Sequence, residues 1–169
     1  MYNGRMFNIQ VSNRGDILKA LVIVDMQEDY IGEKSKYKFS NKQELIQHIN
    51  HRIREVEKDT TIIYLKNSRK GFSSNLVKNL YIATNLIFIK EKSSGFSSDD
   101  FVKYISTSDM IELEIIGIDG NCCVKNTAID AIKKNLIVTI NLSCVGFINQ
   151  ERFLRTKQEL KTKQVRIMN

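Results

Sequence analysis

Apolar and polar positions fall into two kinds of block that alternate along the chain. Short runs dense in Ile, Val and Leu occupy Ala20 to Val24, Thr61 to Leu65, Asn85 to Ile89, Leu113 to Ile118 and Leu136 to Asn141. Runs of this length and type, with little polar alternation, read as strands covered on both faces. Between them the period changes. Lys42 to Lys58 places Leu45, Ile46, Ile49, Ile53 and Val56 on one helical stripe. Asp99 to Ile105, Val124 to Lys134 and Gln150 to Lys163 also read as helices. Strand and helix in alternation predict βαβ crossovers, and hence a three-layer α/β fold around a mainly parallel sheet. Glu28 to Asn41 and Asn67 to Ser74 have the polarity of loops, and loops after strands carry binding residues in such folds. Arg5 to Val11, the turn-forming Ser12 to Asp16, and Ile17 to Val24 read as a hairpin that adds an antiparallel edge.

Composition narrows the class. No Pro and only eight Gly occur in 169 residues, and no compositional break marks a linker, so residues 1–169 are expected to form one domain. No apolar run approaches the roughly 20 residues of a membrane span. Met1 to Ser12 mixes Asn, Arg and Gln through its apolar positions, so no signal peptide is read there and a cytoplasmic location is expected. The net charge of +7 raises nucleic acid as a partner. Its distribution argues otherwise: bases and acids are interspersed from Arg52 to Lys58 and from Glu151 to Lys163, as on solvated helix faces. Neither nucleic acid nor a membrane is expected as a partner. Cys122, Cys123 and Cys144 form neither an even set nor a CxxC pair, which excludes a disulfide framework or zinc knuckle of the usual spacing. His48 and His51 lie three apart in a helical segment with no nearby Cys or well-placed carboxylate to complete a site, so no metal and no other cofactor is expected.

Three of the apolar runs lead to a reactive group. Leu21 to Val24 ends in Asp25, Leu86 to Ile89 ends in Lys90, and Ile115 to Ile118 leads to Cys123. A parallel sheet collects the carboxyl ends of its strands along one edge, where open α/β sheets bind ligands, so acid, amine and thiol are expected in one crevice. Cys123 stands where a strand gives way to a helix, with Gly117 and Gly120 loosening the turn. Unpaired N–H groups and the positive dipole of a first helical turn favour thiolate and can bind an oxyanion. Each residue alone has an ordinary reading as a cap, a surface amine or a small buried hydrophobe. The combination points to a cysteine nucleophile.

The segments Val22-Ile23-Val24-Asp25-Met26-Gln27-Glu28-Asp29-Tyr30, Lys90-Glu91-Lys92-Ser93-Ser94-Gly95-Phe96 and Gly117-Ile118-Asp119-Gly120-Asn121-Cys122-Cys123-Val124-Lys125-Asn126-Thr127-Ala128 together resemble the isochorismatase-like cysteine hydrolase superfamily, which includes nicotinamidases and N-carbamoylsarcosine amidase. The resemblance spans Ala20 to about Leu142. It implies a Rossmann-like α/β/α topology and a triad of Asp25, Lys90 and Cys123. Asp25 is then the general base, Lys90 its electrostatic partner, and Cys123 the site of a thioester with a small amide, ureido or related acyl substrate. It also implies a cis peptide at Ile118–Asp119 and an oxyanion hole from the backbone N–H groups of Asp119 and Cys123. Gln27, Tyr30 and Phe96 are candidate pocket residues, with Phe39 and Phe147 as further aromatics. By the same resemblance the chain forms a homo-oligomer, a dimer or tetramer, with residues 1–18 as a candidate oligomerisation extension.

Departures bear on pocket shape. Nicotinamidases carry an Asp-x-His-Pro motif and further histidines that hold a metal, and this chain has neither. Gly120 stands where the family often has Thr, Ser93 where Tyr is common, and Ser143-Cys144 where Asp-Ala is found. These changes leave a second reading, a catalytically inactive binding or assembly module of the same fold.

Overall fold

The computed structural model describes residues 18–39, 42–69, 71 and 74–169. Strands β1 (Lys19–Val24), β2 (Thr61–Asn67), β3 (Ile87–Lys90), β4 (Glu112–Gly117), β5 (Ile137–Val145) and β6 (Arg166–Met168) form one sheet in the order β3-β2-β1-β4-β5-β6. Every neighbouring pair is parallel. From β1 the chain winds outward to β3, then returns to the other side of β1 and winds from β4 to β6. The crevice beyond the carboxyl ends of β1 and β4 is therefore the point where the winding reverses, the usual ligand position in such sheets. The expected three-layer α/β fold and Rossmann-like topology are what the chain adopts. The proposed hairpin arm from Arg5, and the extension apart from Leu18, lie outside the described residues.

Alternate strand side chains feed two cores. Ala20, Val22, Val24, Ile63, Leu65, Leu113 and Ile115 face α3 (Asp99–Thr107), α4 (Cys123–Lys133) and α5 (Gln150–Thr162), packing against Phe101, Val124, Ala128, Phe153 and Leu160. Leu21, Ile23, Ile62, Tyr64 and Ile116 face the other way, onto Leu45, Ile46, Ile49 and Ile53 of α2 (Lys42–Val56). Burial on both faces is why these strands are apolar without alternation. Handedness sets which helix lies where. The step from β1 to β2 runs one way along the sheet, while those from β3 to β4, β4 to β5 and β5 to β6 run the other, so right-handed crossovers put α2 on one face and α3 to α5 on the opposite one. Arg52 fastens α2 to the sheet, donating to both carboxylate oxygens of Glu114 at 2.9 and 2.6 Å. That fork accounts for an acid on an otherwise apolar strand face.

Two elements escape the pattern. A single helical turn, α1 (Glu28–Ile31), interrupts the expected loop, and β6 closes the sheet edge with three residues. β5 also runs to Val145, because a register shift between Ile115 and Gly117 lets Gly117 pair with Val145.

Candidate active site

Asp25 is the first residue past β1 and has φ +52°, a left-handed conformation that Asp tolerates better than most side chains. Its N–H donates to the Leu65 carbonyl at 3.0 Å, and its own carbonyl accepts the Gln27 N–H at 2.7 Å. The turn is held from beneath by Gln27, which is fully buried. Gln27 Oε1 accepts the Asn67 N–H at 2.7 Å, while Nε2 donates to the carbonyls of Asn67 at 3.1 Å and Ser74 at 2.9 Å. Its amide therefore ties the ends of β1 and β2 together, a bracing position behind the crevice.

Lys90 ends β3, in register with Asn67 of β2 and two strand spacings, about 10 Å, from β1. A long aliphatic stem suits that span. Nζ donates to Asp25 Oδ2 at 2.9 Å and to the Lys92 carbonyl at 3.1 Å, and the two charged side chains are 0% and 1% exposed. Burial pushes the Asp25 carboxyl above its usual value, and the Lys90 ammonium opposes that rise. Asp25 Oδ1 is buried without a close hydrogen-bond partner among the described residues. The Cys123 thiol faces this carboxylate and interacts with it.

The segment bearing Cys123 begins at Gly117, with φ +110°, where any Cβ would collide with the Val24 carbonyl. Glycine is required by this close approach of β4 to β1. The Ile118–Asp119 peptide bond is cis. Beyond it the Asp119 carbonyl accepts the N–H groups of Cys122 at 2.9 Å and Val124 at 3.1 Å. α4 starts at Cys123, whose N–H, among the described residues, has no such acceptor, as expected for a donor in a first helical turn. Asn121 anchors the segment to α5: its Nδ2 donates to the Asn149 carbonyl and its Oδ1 accepts the Thr156 hydroxyl, both at 3.0 Å. Thr127 anchors it to the chain following Lys90, accepting the Gly95 N–H at 2.9 Å and donating to the Cys123 carbonyl at 2.7 Å. Asp25, Lys90 and Cys123 thus meet in one crevice.

The thiol's resting state differs from the expected helix-start thiolate. Contact with Cys122, burial and the negative charge of Asp25 push Cys123 up, and the same contact pulls Cys122 down to about 6. Contact with Cys122, burial and the facing carboxylate thus work against the helix dipole and favour the thiol form of Cys123.

Around this centre the other candidates divide. Tyr30 is held near the crevice by α1, and its phenol is pushed up by burial and by the charges of Asp25 and Cys123. The Tyr37 ring stands 5.7 Å from it, extending an aromatic wall. Phe96 packs edge-on against Phe101 at 5.2 Å and under Lys134 Nζ at 5.6 Å. Those neighbours belong to α3 and to the end of α4 far from Cys123, and Phe96 also lines a surface cavity with Ser93, Ser94 and Asn126. Phe39 joins the α2 core, and Phe147 stacks on Phe153 at 4.3 Å. The departures have local reasons. A Cβ at Gly120 would press into Phe153 and Val145, so the Phe153 ring fills the space a larger residue needs. Ser93 accepts the Asn126 amide at 2.9 Å, and Cys144 is buried beneath α2.

His48 and His51 are exposed on α2, with His48 Nδ1 3.0 Å from the Ser143 carbonyl. Among the described residues no three His, Cys, Asp or Glu side chains are grouped to hold a metal ion. Residues unmarked by the sequence reading are Asn67, Asn121 and Thr127, all buried and polar. The available signal was Thr127 lying one helical turn after Cys123.

Comparison with known proteins gives the same picture. A family model described as the isochorismatase domain matches residues 19–165. Curated proteins give no match. Among solved structures, an isochorismatase-like hydrolase from Alkaliphilus metalliredigens superposes with a TM-score of 0.78 at 19% identity, covering 90% of this chain and 94% of that one. The yeast nicotinamidase bound to the inhibitor nicotinaldehyde gives 0.78 at 19% identity, covering 90% and 100%. The pyrazinamidase of Pyrococcus horikoshii in complex with zinc gives 0.74 at 23% identity, covering 89% and 98%. At these identities the superpositions speak to the fold. With the family model extending over nearly the entire sheet and its crevice, the chain belongs to the isochorismatase domain family.

Proposed function

We propose that the chain is a cysteine hydrolase cleaving a small amide, ureido or related acyl substrate through a thioester at Cys123. The observation that carries this reading is the buried Lys90 Nζ to Asp25 Oδ2 contact of 2.9 Å, which leaves the other carboxylate oxygen buried and unused among the described residues. A carboxylate buried beside an ammonium stays ionised enough to act as a base, and its raised affinity for a proton suits it to take one from sulfur.

In this scheme Asp25 accepts the Cys123 proton as sulfur attacks the scissile carbonyl carbon. The oxyanion forms against the N–H groups of Asp119 and Cys123. A single donor of this kind is worth roughly 3 kcal/mol of transition-state stabilisation. Collapse of the intermediate breaks the C–N bond, and Asp25 returns the proton to the leaving nitrogen. Water, deprotonated by Asp25, then attacks the thioester; the acid leaves and the sulfur recovers its proton. Tyr30 stands where it can bound the substrate. The histidines of α2 and the absence of a suitable donor group among the described residues do not fit a metal site like that of a zinc-bound relative, so no step is routed through a metal. Residues 1–169 are read as one hydrolase domain working on a small molecule in the cytoplasm, as an oligomer.

Ammonia release from a panel of small amides and ureido compounds tests the proposal. Cys123→Ala is expected to lower turnover at least about a thousandfold on a substrate the native chain accepts. Cys122→Ser is expected to retain it. Undiminished turnover by Cys123→Ala overturns the thioester scheme, and no turnover by the native chain on any substrate favours the inactive binding module.

A further inference from the structure

The rim of the crevice carries charge that the triad does not use. Arg69 stands two residues past β2, and its root is held in place. Asn67 pairs with Lys90 across the sheet, its Oδ1 accepts the Arg69 N–H at 2.9 Å, and the Ser68 N–H donates to the Lys90 carbonyl at 3.1 Å. Gln27 grips the Asn67 backbone from the β1 side. Arg69 is therefore rooted beside Lys90 and over the strand that separates Lys90 from Asp25. Its guanidinium is exposed and, among the described residues, has no carboxylate within salt-bridge distance. Tyr30, on α1 directly after the Asp25 turn that Gln27 ties to Asn67, is on the same side of the site as Arg69, whose charge reaches its phenol.

The opposite rim is similar. Arg152 lies in the first turn of α5, where its N–H donates to Asn149 Oδ1 at 2.7 Å, and its exposed side chain acts on Asp119 and Cys122. Inside the crevice Asp25 and Lys90 offset each other, and Asp29 on α1 is turned to the Ser74 N–H at 2.8 Å. Accepting that N–H leaves Asp29 charged, so the two arginines stand against the carboxyls of Asp29 and Asp119, and among the described residues neither guanidinium is paired with a carboxylate.

We propose that the substrate carries a carboxylate, which seats against Arg69 and Tyr30 while the scissile carbonyl lies over Cys123. The inference rests on the hydrolase reading above and adds a substrate class to it: a small amide bearing an anionic group is taken in preference to a neutral one. A guanidinium presents a planar fork of donors that matches a carboxylate, whereas a neutral amide gains nothing from its charge.

Two alkylating probes of nearly equal size separate charge from access. Cys123 is treated with iodoacetate, which carries a carboxylate, and with neutral iodoacetamide, in the full chain and in Arg69→Gln and Arg69→Lys. Fragment masses distinguish Cys123 from Cys122. The iodoacetate-to-iodoacetamide rate ratio at Cys123 is expected to fall about threefold or more in Arg69→Gln, the size of effect an exposed charge exerts. Arg69→Lys is expected to keep most of the native ratio, and added salt to lower the native ratio. Loss of fold would move both rates together, so the ratio reports charge. An unchanged ratio in Arg69→Gln overturns the carboxylate assignment and leaves the hydrolase reading standing. Failure of iodoacetate alone to label native Cys123 overturns the carboxylate assignment, and failure of both reagents counts against the hydrolase reading and this inference with it.

Discussion

Asp25 does two jobs that pull against each other. It neutralises a buried ammonium, and in the proposed mechanism it accepts a proton from a thiol. Removing Lys90 alone leaves a carboxylate 1% exposed and without a counter-ion, so Lys90→Met is expected to cost about 3 kcal/mol of stability or more. Asp25→Asn with Lys90→Met removes both charges and is expected to recover most of that loss in urea unfolding; a double variant no better than the single one contradicts the pairing. The pH dependence has a definite sign. Only ionised Asp25 is a base, and burial lifts its pKa above 3.8, so activity falls as pH drops through a value higher than that of a surface carboxylate. Stability from this group runs the other way. The folded state binds its proton more tightly, so the contribution is fully present below 3.8 and declines as pH rises through the folded value. A pH profile of kcat/KM whose acid limb lies at or below 3.8 speaks against a raised Asp25.

Among the elements, α4 and the segment after β3 depend on each other through one hydroxyl. Thr127 accepts from Gly95 and donates to Cys123, and it is fully buried. Thr127→Val keeps the shape and strands the Gly95 N–H, at about 1–3 kcal/mol for a buried group left unpaired, while the Cys123 carbonyl keeps its helical bond. Turnover is expected to fall through kcat more than KM, because the position of Cys123 shifts against Lys90. Thr127→Ser is expected to restore both stability and kcat, and equal losses in the two variants would point to methyl packing instead. This link was illegible in the sequence for a physical reason. Gly95 and Thr127 are 32 positions apart, as Gln27 and Asn67 are 40 apart, and a linear pattern records polarity but no partner. The nearness of Asp25 and Lys90 was legible because each directly follows an apolar run, and a run of buried strand type dictates which end of the sheet its successor occupies. α1 and β6, of four and three residues, are too short to show any period. The contact of Phe96 with Phe101 was likewise not recorded by its motif.

The sheet as an assembly places its most protected strands next to its chemistry. β1 and β4 each have a parallel neighbour on both sides and helices over both faces, while β3 and β6 are edges. Hydrogen exchange is expected to be slowest in residues 20–24 and 113–116 and fastest, among strands, in 87–90 and 166–168. Equal protection of edge and centre would contradict the strand order. The alternation of strand and helix was enough to foresee a parallel three-layer fold, but the order of strands was not, since it depends on which crossover runs which way. That order is what brings β1 and β4 side by side and opens the crevice between them, with Lys90 reaching in from beyond β2. The charge of +7 looked like a property of the surface alone. Two of its arginines stand at the crevice mouth.

Intact-mass spectrometry during turnover measures the central proposal most directly. With a substrate the native chain cleaves, a species heavier by the acyl group is expected, located at Cys123 by peptide fragmentation and lost in Cys123→Ala. Efficient turnover with no such species in quenched samples, and with Cys123→Ala still active, would contradict it.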